Sequence, residues 1–384
     1  MPKDFSACSA SSAFNVAALR VRAVTSLRMD VREFDFDLPS ELIAQEPAAE
    51  RGAGRLLCLG RDTGAVTHTS FVALPDLLRG GDLLVVNNTR VFPARLLGHR
   101  VPTGGAVECL LVAKARAETT PAQANEQYWE ALMHPGQKLL PGAEVIFEGT
   151  RTVHGEVIER RFHGRRLIRL WAEDGISVDQ AVDAIGHVPL PPYIKRRDRS
   201  DDRNRYQTLF ARERGSIAAP TAGLHFSPAL MDALGRRGIQ TVEITLHVGY
   251  GTFQPVRVDR VEDHRLEPER YDIGETAAAE INRALASRRR VVAVGTTTTR
   301  ALEAVARTRE GRIVAGGGST DLFIFPGFDF RVVRGLVTNF HLPRSSLLML
   351  ASAFGGRERV MAAYAAAIAE GYRFFSYGDA MLIL

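Results

Sequence analysis

Two histidines stand where apolar runs give way to glycines and hydroxyls. Val242, Ile244 and Leu246 alternate with polar residues, the period of a strand, and deliver His247 into Val248-Gly249-Tyr250-Gly251-Thr252. Two glycines one residue apart let the backbone bend sharply and approach a ligand without Cβ interference, with Tyr250 and Thr252 as polar tips. The small-residue stretch Gly215 to Phe226 offers Thr221 and His225 in the same manner. Imidazole titrates near neutrality, which suits proton transfer. Three other junctions suit anchoring. Val291 to Val294 runs into Gly295-Thr296-Thr297-Thr298-Thr299-Arg300, where amides and hydroxyls at a helix start can hold a carboxylate or phosphate. Asp82 to Val86 empties into Asn87-Asn88-Thr89-Arg90, and Thr338-Asn339-Phe340-His341 leads toward another helix. Each has an ordinary reading as turn, cap or core histidine; their recurrence at strand ends is what marks them.

The elements that must position these residues alternate along the chain. Strands are expected from Phe34, over Asp82 to Val86, before His247, over Val291 to Val294 and over Leu322 to Phe325. Helices are expected over Pro39 to Gln45, from Ser227-Pro228 to Gly238, and over Thr276 to Arg288, Arg300 to Thr308, Leu347 to Phe354 and Arg357 to Glu370. Helix followed by strand is half of a βαβ unit, and parallel strands usually carry chemistry at their carboxyl ends. From Pro93 to Gly186 the texture changes to six short strands, beginning at Arg95, Val107, Tyr128, Ala143, Thr152 and Arg166 and separated by turn signals such as Pro135-Gly136. The fold expected is an α/β main domain in two pieces, 29–92 and 187–384, with a small β-barrel inserted at 93–186. Residues 1–28 are rich in Ala, Ser and Arg with Asp4 the sole acid, and read as a disordered extension or a start assigned too early, since Met29 precedes the patterned segment.

Composition narrows the function. A chain of 384 residues, 45% hydrophobic and 24% charged, has an ordinary globular balance. Cys8, Cys58 and Cys109 are too few and too scattered for a disulfide framework or zinc ribbon, which points to the cytoplasm. No apolar run approaches the roughly 20 residues a membrane span needs. The histidines show no metal spacing, and GxSxG, Walker and GxGxxG patterns are missing. The net charge is +5, and basic residues crowd into Lys195, Arg196, Arg197 and Arg205 with Tyr206 and Phe210 interleaved, a composition suited to phosphates and splayed bases. Asp198, Asp201 and Asp202 dilute the run, so a solvated loop fits it equally. The arginines at 160, 161, 165, 166 and 169 read as a solvated face.

Seven separated blocks carry a resemblance that spans Asp30 to the C-terminus. They are VVNNTRVFPARLLG at Val85, PLPPYIKR at Pro189, RYQTLFARERGSIAAPTAGLHF at Arg205, LHVGYGTFQPV at Leu246, VGTTTTRALE at Val294, TNFHLPRSSLLML at Thr338 and YRFFSYGDAMLI at Tyr372. With them the chain closely resembles the S-adenosylmethionine:tRNA ribosyltransferase-isomerases of queuosine biosynthesis. The resemblance implies an α/β domain with an inserted barrel. It also implies that the ribosyl part of S-adenosylmethionine is transferred to 7-aminomethyl-7-deazaguanine in the tRNA wobble position and rearranged to epoxyqueuosine, releasing adenine and methionine. S-adenosylmethionine is then a consumed substrate, with no further cofactor, metal or membrane partner, and the protein is expected to be a monomer. The chain departs from the family after Asp263-His264. Where the family commonly has Met-His-Ser-Glu, this chain has Leu266-Glu267-Pro268-Glu269, so His264 and Glu269 carry over and Glu267 replaces a histidine.

Such chemistry needs a base for the proton next to the sulfonium, an acid for adenine, and anchors for a carboxylate and for phosphates. Base or acid duty is assigned among His225, His247, His264 and Asp379. Substrate contacts are assigned to Asn88, Arg90, Thr221, Tyr250, Thr252, Thr296, Thr297, Thr298, Arg300, Asn339 and His341, and tRNA contacts to Lys195, Arg196, Arg197 and Arg205. The competing readings are a non-catalytic tRNA-binding module, which would release no adenine, and a tRNA methyltransferase, which would yield S-adenosylhomocysteine.

Overall fold

The structure is a computed structural model that describes residues 28–115, 125–173, 175–253 and 255–384. The reading of the leading residues falls outside them, Arg28 excepted, as does the side chain of Thr252.

Runs with no polar residue form the middle of the main sheet, because a parallel strand covered on both faces has no solvent side to mark with polar residues. Leu83–Asn87 and Val291–Val294 are buried at every position. Alternate residues feed two separate cores. Leu83 and Val85 join a cluster with Ile281, Leu302 and Met349, whereas Leu84 and Val86 join another with Leu230 and Leu234. Helices Glu275–Ala286, Thr296–Thr308, Ser346–Gly355 and Arg357–Ala369 cover the first face; Leu74–Leu77 and Pro228–Arg236 cover the second.

Among the described residues the sheet has nine strands, in the order Gly316–Thr320, Glu269–Ile273, Gln240–Leu246, Leu83–Asn87, Val291–Val294, Val333–Asn339, Ala380–Ile383, Arg55–Leu59 and Val66–Ser70. The run from Gln240–Leu246 to Val333–Asn339 is parallel, so His247, Asn88, Gly295 and Phe340 follow strand ends on one edge. Ala380–Ile383 runs antiparallel to its neighbour and pairs Ala380 with Asn339, which brings Asp379 to that same edge.

The inserted barrel is closed by six strands, Arg95–Val101, Ala106–Ala115, Glu126–His134, Glu144–Glu148, Thr152–Arg160 and Arg165–Ala172. It has its own core, with Leu96, Cys109, Phe147 and Ile168 fully buried. Gly98 permits the tightest strand crossing, since a Cβ there would lie 2.0 Å from the Ile146 carbonyl oxygen. The α/β class with an inserted barrel thus agrees with the sequence reading.

Three elements differ from expectation. The segment from Phe34 forms no strand, and Pro39 to Gln45 holds only a single 3₁₀ turn, Ser40–Leu42, too short a span between prolines for a helix. Leu322 to Phe325 is irregular; the strand is the glycine segment Gly316–Thr320 before it. Those glycines are used: a Cβ at Gly318 would lie 2.5 Å from the Tyr271 hydroxyl on the neighbouring strand. Among the described residues no helix is long and apolar enough to cross a membrane.

Glu303 locks the helix carrying the threonine run to the chain entering Val333–Asn339. Its fully buried carboxylate accepts from the amides of Arg331, Val332 and Val333 at 2.8, 3.0 and 2.9 Å. Unsatisfied buried donors cost on the order of 1 kcal/mol or more each. Glu303→Ala is therefore expected to lower the melting temperature by roughly 5 °C or more, as followed by circular dichroism; an unchanged midpoint would contradict this role.

Candidate active site

One buried carboxamide sets the geometry of the edge. Asn87 Oδ1 accepts from the amides of Leu246 at 3.0 Å and Thr89 at 3.1 Å, while its Nδ2 donates to the Leu246 carbonyl at 2.9 Å. Two neighbouring strand ends are thereby pinned, and the next residue after Leu246 is His247. Asn88 is engaged elsewhere: it accepts from Thr245 Oγ1 at 2.7 Å and donates to Glu243 at 3.4 Å. Arg90 lies exposed on the short strand Thr89–Val91 and lines no cavity described here. The side chains turned inward at this strand end are those of Asn87 and Thr89.

His247 Nδ1 sits 2.8 Å from Thr89 Oγ1, which is 2.7 Å from Ser216 Oγ, which in turn accepts the Val248 amide at 2.7 Å. Gly215 makes room for the ring, since a Cβ there would lie 2.6 Å from Nδ1. Burial pushes the His247 pKa down and Arg270 nearby adds to the effect, so the imidazole is neutral at pH 7. It lines a cleft of about 1010 Å³ between the barrel and the main domain. Barrel residues Val112, Glu130 and Ile158 form one wall; Gly249, Pro268 and Phe323 belong to the other.

Arg300 lines the same cleft and is only 4% exposed. Its Nη1 donates to Glu269 Oε2 at 2.5 Å and its Nε to the Leu322 carbonyl at 2.9 Å, while Nη2 has no hydrogen-bond partner. Glu269 also accepts the Gly249 amide at 2.9 Å, coupling this ion pair to the glycine loop. A pinned guanidinium with one open donor edge suits a carboxylate. The threonine run contributes less than its sequence suggests. Thr298 and Thr299 turn their hydroxyls back to the carbonyls of Val294 and Gly295, at 2.7 and 3.1 Å, and only Thr296 and Thr297 face a cavity.

That second cavity, about 60 Å³, abuts the cleft through Val248 and Leu347, which line both. Thr221, Asn339 and His341 line it as well. Asn339 Nδ2 donates to the Phe375 carbonyl at 3.1 Å and to His225 Nε2 at 3.3 Å. A carbonyl oxygen can serve only the amide nitrogen, so the orientation is fixed and Oδ1, buried without a partner, is left as an open acceptor. His225 is neutral: burial lowers its pKa to about 4, partly opposed by Asp379. It stacks on Phe71 at 4.8 Å and lies behind Asn339, lining a different small cavity. Asp379 accepts the amides of Arg55 at 2.9 Å and Arg373 at 2.8 Å. His225 therefore supports Asn339 from behind, and Asp379 lies close enough to act on His225 through its charge. His341 pairs with Thr338 Oγ1 at 2.7 Å, and burial takes its pKa to about 3.

The remaining assignments disperse. His264 packs edge-on against Phe323 at 5.0 Å and does not reach the cleft that Phe323 lines. Tyr250 turns to the barrel core and lines a separate cavity of about 380 Å³ beside Pro189 and Pro192. Glu267 faces the cleft and pairs with Arg165 of the barrel. In the basic loop, Arg196 is held by Asp202 at 2.7 and 2.9 Å and Arg205 donates to the Ala48 carbonyl, so both brace the fold; Lys195 and Arg197 are exposed.

Neutral imidazole, pinned guanidinium and open carboxamide oxygen along one sheet edge, beneath a cleft walled by an inserted barrel, define an α/β enzyme built for a ligand of nucleoside size or larger. The family described as queuosine biosynthesis protein matches residues 31–383, and the chain belongs to it. It is 48% identical over 356 residues to the S-adenosylmethionine:tRNA ribosyltransferase-isomerase of Desulfitobacterium hafniense, covering 93% of this chain and 100% of that one. The protein of the same name from Heliobacterium modesticaldum matches to the same extent. The crystal structure of S-adenosylmethionine tRNA ribosyltransferase from Thermotoga maritima is 36% identical, with a TM-score of 0.51 over 92% of this chain and 100% of that one. These findings agree with the resemblance carried by the seven sequence blocks.

The depressed pKa of His225 has a pH consequence. Between the ordinary value of 6.5 and about 4 the unfolded chain binds a proton at this site that the folded chain does not. Stability rises with pH through that window and is lost as pH falls from about 6.5 to about 4. Imidazole resonances should show His225 neutral at pH 5.5 with a midpoint near 4; a midpoint near 6.5 would overturn its buried, neutral placement.

Proposed function

We propose that this chain transfers the ribosyl group of S-adenosylmethionine to 7-aminomethyl-7-deazaguanine in tRNA and isomerises it, yielding epoxyqueuosine-tRNA, adenine and methionine. The observation that carries the reading is His247: a neutral imidazole on a hydroxyl relay, facing a cleft large enough for both substrates, in a chain of this family.

Removing the proton from the carbon bonded to the sulfonium needs a lone pair. When Thr89 donates to the Glu213 carbonyl, 3.4 Å away, it can accept from His247 Nδ1–H, leaving the Nε2 lone pair as base. When Thr89 donates to Nδ1 instead, Nε2 carries the proton and can return it. The relay thus serves either direction of transfer without a buried charge at rest. Arg300 Nη2 holds the methionine carboxylate, and Asn339 Oδ1 accepts from the adenine amine or a ribose hydroxyl. His225 acts as a positioning residue for Asn339, and the Asp379 charge acts on His225. S-adenosylmethionine is consumed as a substrate and no other cofactor takes part. The cleft is lined by residues of one chain, which supports action as a monomer, and a tRNA substrate is in keeping with the cytoplasm.

Wild-type protein incubated with S-adenosylmethionine and an anticodon stem-loop bearing 7-aminomethyl-7-deazaguanine should release adenine and add the ribosyl mass to the RNA. His247→Gln should lower kcat roughly 10²- to 10⁴-fold, the range for loss of a positioned acid or base. S-adenosylhomocysteine in place of adenine would refute the reaction, and undiminished turnover by His247→Gln would refute the role of His247.

Arg300→Lys keeps the charge beside Glu269 but loses the fork that places Nη2. It is expected to raise KM for S-adenosylmethionine by about tenfold with a smaller change in kcat, on the scale of one charge-assisted hydrogen bond. An unchanged KM would remove Arg300 from the substrate site.

A further inference from the structure

Phe162 is the most exposed large apolar side chain among the described residues, at 89%. A single exposed aromatic needs no explanation by itself; its setting does. It stands at the tip of the barrel hairpin joining Thr152–Arg160 to Arg165–Ala172, and it lines the mouth of the active-site cleft. The hairpin is braced. The Arg161 amide donates to the Arg165 carbonyl at 2.9 Å, and Gly164 takes the left-handed conformation, φ 77°, that closes the turn. Arg161 and Arg165 both bind Glu130, at 2.6 and 3.0 Å, and Arg165 also reaches Glu267 on the opposite wall. Arg161 and Arg165 are both used to pin the hairpin, while the ring is left open.

Two cations at the mouth are unspent. Arg160 beside Phe162 and Arg270 on the main-domain wall near His247 are exposed, line the cleft, and make no side-chain hydrogen bond or ion pair among the described residues. An aromatic face on a braced hairpin, lining the same cleft as two free arginines, suits a single-stranded nucleic acid, since every base offers a π-face and every linkage a phosphate. A base-paired stem has no free face to offer.

We propose that Phe162 is a stacking platform for an unpaired base of the anticodon loop next to the reacting nucleotide, with Arg160 and Arg270 holding the flanking phosphates. The inference rests on the tRNA reading above and adds the element that presents the loop to His247. Glu267 contributes by tying the barrel hairpin to the main domain through Arg165.

The test uses the full chain and a fluorescein-labelled stem-loop RNA bearing 7-aminomethyl-7-deazaguanine, with binding followed by anisotropy without S-adenosylmethionine. Phe162→Ala should weaken binding about tenfold and Phe162→Tyr should bind as wild type does, because the stack survives. Arg160→Ala and Arg270→Ala should each reduce the slope of log affinity against log salt by about one. KM for S-adenosylmethionine should stay unchanged in Phe162→Ala. Arg160, Phe162 and Arg270 are all exposed, so these substitutions are expected to leave the fold intact, as circular dichroism would check. Wild-type adenine release together with undiminished binding by Phe162→Ala would overturn this inference alone, as would a Phe162→Tyr variant as weak as Phe162→Ala. Absence of adenine release from the wild type would instead overturn the function on which it rests.

Discussion

The site depends on one hydrogen-bonding constraint, the tie made by Asn87 between two parallel strand ends. A sheet ladder normally loses its partners where the strands end, and buried amides and carbonyls there must be satisfied by something else. Asn87 meets three of them with one side chain, at Leu246 and Thr89. In doing so it fixes Thr89 and His247 relative to one another, so that Thr89, Ser216 and His247 form a continuous hydroxyl and imidazole chain. The geometry around His247 is an extension of the fold's own solution to an unpaired strand end.

Electrostatics follow the same economy. The three histidines nearest the sheet edge, His225, His247 and His341, are all driven toward neutrality by burial, so none carries a charge the interior must compensate. Arg300, the one fully buried cation lining the cleft among the described residues, is matched by Glu269. The cleft wall thus presents a neutral imidazole at His247 and charges that are paired, Arg300 with Glu269 and Arg161 and Arg165 with Glu130 and Glu267, while Arg160 and Arg270 line it unpaired among the described residues.

Much of this was legible in sequence where a pattern has a period. The six barrel strands were visible because alternation survives on a closed barrel with one wet face, and the strand ends were visible because apolar runs stop abruptly at polar residues. Asn87 could not be told from Asn88: the preceding strand is buried on both faces, so no alternation says which carboxamide points inward. Gly316–Thr320 was illegible as a strand because glycine carries no pattern, and its reason for being there is Tyr271, 45 positions from Gly316. Arg196 and Arg205 looked like RNA contacts because sequence shows charge but not the distant carbonyl or folded-back carboxylate that consumes it. Phe162 was passed over within a run of arginines that read as a solvated face; only Arg160 among them is exposed, Arg166 is buried against backbone carbonyls, and Arg161, Arg165 and Arg169 are half-buried in ion pairs that sequence could not show.

The central claim is that His247 takes the proton from the carbon bonded to the sulfonium. S-adenosylmethionine tritiated at that carbon, turned over with the modified stem-loop, tests it most directly. The account predicts tritium in water in step with adenine release by the wild-type protein and none above background with His247→Gln. Adenine release without loss of tritium, or equal loss from the variant, would contradict it.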